Sequence, residues 1–340
     1  MVTIIDVARA AGVAPSTVSY VLNGKRSISA ETRRQVEQCI RQLGYRPLNR
    51  RTAAPRDRTN VLGLLAPLRA GVNMPSLTRF VGAAMLAARA RGHDLLLLTH
   101  DSGMAGLRRA MSTAVADALI VLDVHASDST IPALMTLDRP VVLVGTPDRP
   151  TGLACVDANV GVAAERAVGH LVNLGHRAVG VVGSPLPAHT RGADYPRRFT
   201  QAFEAVAGKW GLRASRRPCG ESGEAVRSCL DAMFTQDPGI TGLVVENEAT
   251  LPGVLEHLGR RGLRVPEDVS VVAVCHEDVA ERPPVRFTSV AVPTAQLGEL
   301  AVELALRQFD EGAVPEVRLL TPGLTVREST GPAPVTASCP

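Results

Sequence analysis

With 340 residues, 45% apolar and 21% charged, the chain is long enough for two or three domains with a large buried core, which excludes a disordered or fibrous protein. Aromatic residues make up only 3%, so the interior is expected to be Ala, Val and Leu packed between layers of helix and sheet. Charge is uneven: residues 1–60 carry a net +7 and the rest a net −3, and a short basic head on a mildly acidic body points to a polyanion as the partner of the head.

From Thr3 onward, Ile4, Val7, Ala8 and Ala11 recur at helical spacing, and Gly12 stands where a helix needs a left-handed C-terminal residue. Pro15 suits a first helical turn, and Val18, Val21 and Leu22 supply the apolar stripe of a second helix over Pro15 to Asn23. Ser29 is a candidate N-cap for a third helix, Ala30 to Leu43, with Val36, Ile40 and Leu43 inward and Gly44 as its stop. Three short helices with a tight turn between the first two make a helix-turn-helix. Ser16, Ser19, Tyr20 and Asn23 alternate with the apolar stripe of the second helix, and no acid stands among them. Short hydroxyls and an amide on that face suit phosphates and base edges in a major groove, and Arg26, Arg33, Arg34, Arg41 and Arg46 around it suit phosphate neutralisation.

Residues 45–60, YRPLNRRTAAPRDRTN, are polar, Arg-rich and interrupted by two prolines, which is linker composition. After Asn60, strand-like apolar runs alternate with helical stretches: VLGLLAP, a helix over 77–91, DLLLLT, a helix over 105–115, DALIVLD, a helix over 130–137, and PVVLVG. A second series follows: a helix from about 159 to 174, AVGVVG, helices over 198–210 and 224–234, GLVVE, a helix to Arg261, and VSVVAV. The pattern predicts two successive lobes, each a parallel sheet with helices on both faces. Ligands of such sheets sit beyond the carboxyl ends of the strands, so two facing lobes define a cleft.

The longest apolar runs are strand-sized, short of the roughly 18 residues that cross a bilayer, and Asp6 and Arg9 interrupt the N-terminus where a secretory signal would be apolar. The chain is therefore expected to act in the cytoplasm, without a membrane. Six cysteines with no CxxC pair fit reduced thiols better than a disulfide framework or a zinc site. GxSxG, GxxxxGK[ST], HExxH and GxGxxG are all missing, so no catalytic residue, metal or cofactor is expected. His176 in LGHR reads as structural, and His276 beside Glu277 as at most part of a ligand pocket.

The segment TIIDVARAAGVAPSTVSYVLNGKRSISAETRRQVEQCIRQLGYRP resembles, without gaps, the headpiece of the lactose/galactose repressor family. The resemblance implies that Pro15, Ser16 and Tyr20 read bases, while Thr3, Thr17, Ser19, Asn23, Ser29 and Tyr45 position phosphates or cap helices. Relatives usually place an Ala-Arg-x-Leu hinge helix in the linker, whose leucines wedge into the minor groove and kink the operator. This chain has Arg51-Thr52-Ala53-Ala54 there, with Ala54 in the place of the wedge and Pro55 next. A methyl group cannot replace that wedge, so either the bend is weak or Leu48 or the Arg50-Arg51 pair enters the minor groove instead.

The segments CVDANVGVAAERAVGHLVNLGHR, ENEATLPGVLEHLGRRGLRVPEDVSVVAV and TSVAVPTAQLGELAVELAL are similar to the effector-binding and dimerisation core of the same family, itself similar to type I periplasmic sugar-binding proteins. The fold class implied is a small all-α helix-turn-helix headpiece followed by a two-lobed α/β core of the type I periplasmic-binding kind. The expected boundaries are a head over 1–46, a linker over 47–59 and a core over 60–328. Lobe 1 would take 60–157 and 286–313, lobe 2 would take 158–285 and 314–328, and 329–340 would be a disordered tail. By motif, Asn247 of ENE and Glu277 of CHED take the places of the ligand-contacting Asn and Asp, and an Arg that relatives place elsewhere is displaced to Arg198 beside Phe199. Val292 replaces a common Gln and Ala202-Phe203 a Gly-Phe pair, so the effector need not be a simple sugar. The function implied is a ligand-controlled transcriptional repressor, acting as a homodimer on pseudo-palindromic double-stranded operator DNA, with a small-molecule effector, sugars among the candidates. One alternative is a core that answers to a non-sugar ligand or partner. A solute-binding protein would explain the body but not the basic head.

Overall fold

In the computed structural model, residues 4–23, 28–43, 58–67, 72–100, 116–125, 128–185, 194–282 and 284–334 are described. The head comprises α1 (Ile4–Ala10), α2 (Pro15–Asn23) and α3 (Ala30–Leu43). Gly12 ends α1 at φ +61, with the Val13 N–H donating to the Ala8 carbonyl at 3.0 Å, so glycine relieves a left-handed turn that a Cβ would strain. Ser29 caps α3, its Oγ accepting from the Thr32 N–H at 3.2 Å. Val7, Ala8, Ala11, Val18, Val36 and Cys39 form the core of the head. Leu43, expected inward, is instead exposed. It ends α3 one turn past the last position that α1 and α2 cover.

Lobe 1 is built on β1 (Val61–Pro67), β2 (Asp94–His100), β3 (Ala118–Val121), β4 (Val141–Val144), β5 (Ala154–Ala158) and β11 (Val317–Leu320), in the order β11-β5-β4-β3-β1-β2, all parallel. Helices α4 (Met74–Arg89) and α11 (Thr294–Arg307) pack on it and α5 (Ile131–Leu134) on its other face. The two long helices meet almost backbone to backbone: a Cβ on Gly298 would lie 2.7 Å from the Phe80 carbonyl oxygen. Lobe 2 is built on β6 (Ala178–Gly183), β7 (Arg213–Pro218), β8 (Gly242–Val245), β9 (Ser270–Cys275), β10 (Thr288–Ala291) and β12 (Leu324–Thr325), in the order β12-β10-β9-β8-β6-β7, parallel except for β12. Around it lie α6 (Val160–Asn173), α7 (Asp194–Lys209), α8 (Gly223–Gln236), α9 (Leu251–Arg260) and α10 (Glu277–Ala280). Central strands such as β6, β8 and β9 are buried throughout, as a parallel sheet covered on both faces requires.

The chain crosses between the lobes after β5, after β10 and after β11, which corrects two of the expected boundaries. β10 pairs with β9, Val290 opposite Val274, so residues 288–291 belong to lobe 2. β11 pairs with β5, Val317 opposite Cys155, so residues 317–320 belong to lobe 1. The C-terminal segment departs from expectation as well. The Ser329 Oγ accepts from the Thr288 N–H and donates to the Val271 carbonyl, the Gly331 N–H donates to the Ser270 Oγ, and the Ala333 N–H donates to the Leu174 carbonyl, so 329–333 are tied along lobe 2. His176 belongs to the same structural seam: fully buried, it binds the Thr241 hydroxyl through Nδ1 at 2.8 Å and the Gly331 carbonyl through Nε2 at 3.2 Å. Burial holds its pKa below the ordinary histidine value, so it is neutral at physiological pH.

The linker enters lobe 1 on the amino-terminal side of its strands. There the Asp117 carboxylate accepts from the Thr59 N–H and hydroxyl, at 3.2 and 3.0 Å, and from the Asn60 N–H at 2.8 Å, while the Arg58 guanidinium sits 4.5 Å from the centre of the Phe309 ring. The five described cysteines are buried free thiols, and among the described residues no helix is long and apolar enough to cross a membrane.

Candidate functional site

Two surfaces carry chemistry. On the head, α2 is freed from packing along one side: Val18 is buried at the centre, Pro15 is exposed, and Thr17 and Tyr20 are half-buried. Ser16, Ser19 and Asn23 lie on the same helix. The helix carries no acid in its first turn and no charge along PSTVSYVLN, so nothing on it repels a phosphate. Thr3, Tyr45, Arg50, Arg51 and Ala54, and with them the hinge and its missing wedge, lie outside the described residues.

The second surface is the cleft at the carboxyl ends of both sheets. On the lobe 1 side, β4 leads into Gly145 at φ +118, where a Cβ would come within 2.6 Å of the Val124 carbonyl oxygen, and then to Thr146. The Thr146 hydroxyl donates to Asp157 Oδ2 at 2.9 Å, and the same oxygen accepts from the Arg198 guanidinium at 2.8 Å. Asp157 is the penultimate residue of β5 in lobe 1 and Arg198 lies on α7 of lobe 2, so this pair spans the cleft. Arg198 thus does face the cleft, bound to a carboxylate that motif reasoning did not single out.

A second bridge is built around His276. Its N–H donates to Glu248 at 3.0 Å, Nδ1 lies 2.8 Å from the same carboxylate, and Nε2 lies 2.9 Å from the Thr294 hydroxyl and 3.4 Å from the Ser76 hydroxyl. The carboxylate fixes Nδ1 as the protonated nitrogen. His276 and Glu248 belong to lobe 2, whereas Thr294 and Ser76 open helices of lobe 1. Burial alone would raise the Glu248 pKa, but the His276 hydrogen bonds and the charges of His276 and Arg79 hold it below the ordinary range. Farther along the same edge, Nη2 of Arg79 on α4 donates to both carboxylate oxygens of Asp278 on α10, at 2.7 and 2.8 Å.

Behind these bridges lies Glu246, one residue past β8. It is buried, accepting from the Ser184 N–H at 3.0 Å and hydroxyl at 2.9 Å, and burial pushes its pKa up to about 7 against those two bonds and the charge of Arg216. Tyr195 stacks on Phe199 with ring centres 6.2 Å apart, and burial beside Glu246 and Glu248 raises its pKa well above the ordinary value. Asn247 sits between the two glutamates, its Nδ2 donating to the Cys219 carbonyl at 3.5 Å.

Glu277 does not take the cleft position expected of it. β9 ends at Cys275, so His276 is the first residue beyond the strand and points between the lobes, whereas Glu277 begins α10 and pairs with Arg327 of its own lobe. Glu246 and Glu248 were not singled out from the sequence, although they flank Asn247 at a strand end. Asp157, Thr294, Ser76 and Arg79 carry no local signal and are found only through pairing. Among the described residues no group of His, Cys, Asp and Glu is arranged to hold a metal ion.

Comparison with known proteins matches the head and the carboxyl-terminal half of the core to two family models. Residues 3–48 match the bacterial regulatory proteins of the lacI family, and residues 168–330 match the periplasmic binding protein-like domain. The transcriptional regulator PtxS of Pseudomonas plecoglossicida is 30% identical over 339 residues, covering 97% of this chain and 96% of that protein. The chain belongs to the LacI family. Other members similar to it along their whole length are the transcriptional repressor PurR of Haemophilus influenzae, 27% identical over 97% of this chain and 98% of the relative, and the ribose operon repressor of Escherichia coli, 25% identical over 97% and 100%. Among solved structures, a transcriptional regulator CelR–cellobiose complex aligns with TM-score 0.67 at 25% identity over 97% of this chain and 100% of that one. The lac repressor dimer bound to operator and an anti-inducer shares the fold, with TM-score 0.69 at 21% identity over 97% and 99%. In this LacI-family chain the head and the cleft therefore occur in the same order and proportion as in whole regulators.

Proposed function

We propose that this LacI-family protein is a transcriptional repressor that binds operator DNA through its head and releases or tightens that grip when a small molecule enters the interlobe cleft. The observation that carries this reading is the union in one chain of an acid-free recognition helix, α2, with a cleft whose walls come from two lobes that the backbone joins at three crossings. One relative is named for the ribose operon and another is solved in complex with cellobiose, and the cleft here has its own lining: Asp157, Arg198, Glu246, Asn247, Glu248 and His276. Arg198 and Asn247 stand as effector contacts, joined by Asp157 and His276 in place of Glu277. The protein acts by binding, in the compartment that holds the DNA.

A single head reads few base pairs, so two heads on a pseudo-palindrome are needed for specificity. Lobe 1 supports a second copy: α4 and the edge strand β2 leave Met85, Leu86, Leu96 and Leu97 exposed, apolar surface suited to a two-fold contact. The test is to sequence genomic fragments retained by the full-length protein and then screen metabolites for release. A shared inverted repeat, with affinity falling steeply as salt rises, is expected. Retention without a common sequence, or a flat salt response, would overturn the reading.

A further inference from the structure

Helix α11 ends at Arg307, and the loop 310–316 leads from it to β11. A cavity of about 340 Å³ lies where this helix end, that loop and Ala154, the first residue of β5, come together. It therefore sits on the amino-terminal side of the lobe 1 strands, opposite the cleft. Its polar groups without a partner are acceptors. Arg307 and Arg318 are both taken up by Glu316, whose two oxygens lie 2.9 and 2.7 Å from them. Asp310 and Glu311, also in the lining, have no ion pair or side-chain hydrogen bond among the described residues. Gln308 is more than nine-tenths buried, at 8% exposure, and lines the same cavity. Its amide N–H donates to the Leu304 carbonyl at 3.2 Å, which leaves its amide oxygen without a donor among the described residues. The end of α11 adds the negative pole of a 14-residue helix. The rest of the lining that bears on a ligand is apolar: Ala154, Leu304, Val314 and Pro315.

We propose that this cavity is a second small-molecule site, for an organic cation that carries ammonium groups on a short alkyl chain. The ammonium groups donate to the Gln308 amide oxygen and to the Asp310 and Glu311 carboxylates, and the chain packs on Leu304, Val314 and Pro315. An anion would meet two carboxylates without a counter-charge, and an apolar molecule would bury the Gln308 oxygen with no donor to satisfy it. The volume falls within the range of small-molecule sites, about 300–1,000 Å³. Phe309 stands in the chain between Gln308 and Asp310, and its ring carries the Arg58 guanidinium of the linker. An occupant thus adjoins the anchor of the linker rather than the cleft, and the site is independent of any reading of the cleft.

The test titrates putrescine into the full-length protein by isothermal calorimetry at fixed ionic strength, with butanediol as the neutral counterpart. Putrescine is expected to bind saturably at one site per chain, and butanediol to give no saturable heat. The double variant Asp310→Asn, Glu311→Gln should weaken putrescine about tenfold or more, the loss expected when hydrogen bonds to charged groups are removed. Gln308→Leu, which alters no charge, should weaken it severalfold, and circular dichroism checks that both variants are folded. Should Gln308→Leu not fold, the double variant decides, because it changes only exposed side chains. No saturable heat with putrescine, equal binding of butanediol, or affinity that is unchanged in the double variant or in folded Gln308→Leu would overturn the proposal.

Discussion

Replacing Glu246 by Gln should stabilise the protein at alkaline pH and leave it nearly unchanged in acid. Below pH 4.5 the carboxyl is protonated in both folded and unfolded chains and contributes no difference. As pH rises from 4.5 toward about 7, the unfolded chain ionises while the buried folded group keeps its proton, so the folded state binds more protons and stability falls. Above about 7 the loss is complete, and raising the pKa from 4.5 to about 7 corresponds to about 3 kcal/mol. Gln does not titrate, and it can keep both contacts: its carbonyl oxygen accepts from the Ser184 N–H, and its amide donates to the Ser184 hydroxyl that now donates to Glu246. Urea unfolding of both proteins at pH 5 and pH 8, followed by circular dichroism, cancels every other titrating group in the difference. The variant should gain about 2–4 kcal/mol between the two pH values. A difference that does not change with pH would mean that Glu246 ionises like a solvated acid, and the cause assigned to its shift, burial, would be wrong.

Tyr20→Ala should relax base preference while largely preserving affinity for random DNA, whereas Arg33→Ala and Arg34→Ala should weaken all sequences alike and flatten the salt dependence; binding-site selection at two salt concentrations separates the two behaviours. Gly298→Ala forces a Cβ against the Phe80 carbonyl, and overpacking of about 1–3 kcal/mol should lower the melting temperature by several degrees. Asp117→Ala removes the acceptor for Thr59 and Asn60, so cleavage of the linker by a trace of trypsin should become several-fold faster, and an unchanged rate would show that the Arg58–Phe309 contact alone holds the chain.

The head was legible almost residue by residue because its punctuation is local: Gly12, Pro15 and Ser29 act within their own turns. The central strands were legible because double-sided burial makes them continuous apolar runs. β7 was not, since RASRRP is an edge strand whose arginines reach outward to Asp237 and Gln236. Nor could the sequence say which sheet β10 and β11 join. Both are short and half-apolar, and only pairing decides it, β10 with the preceding strand β9 and β11 with β5 far away in the chain. The cleft followed the same division. Asn247 was marked by a strand end, but the partners of Arg198 and His276 lie 41 residues away at Asp157 and 200 residues away at Ser76. Glu277 lies one residue beyond the position that faces the other lobe, because the end of β9 is set by Cys275 pairing with Ala291 of β10.

The link from cleft to DNA is short in this fold. The linker is held by Asp117, directly before β3, and the same strand ends against Asp123 and Val124, where the Val124 N–H donates to the Val144 carbonyl beside the Gly145 turn that leads to Thr146 and Asp157. All four residues of β3 are buried between β1 and β4, so the strand moves only with its lobe, and it covers about 13 Å at 3.3 Å per residue. On the proposed function, a molecule that replaces the Asp157–Arg198 or His276–Thr294 bridge would free the lobes to change their angle, and lobe 1 would carry Asp117 and the bound linker with it. No separate relay is required. Linkage makes any such coupling reciprocal: DNA that fixes two linkers of a dimer must alter the affinity of the cleft by the factor with which the cleft ligand alters the affinity for DNA.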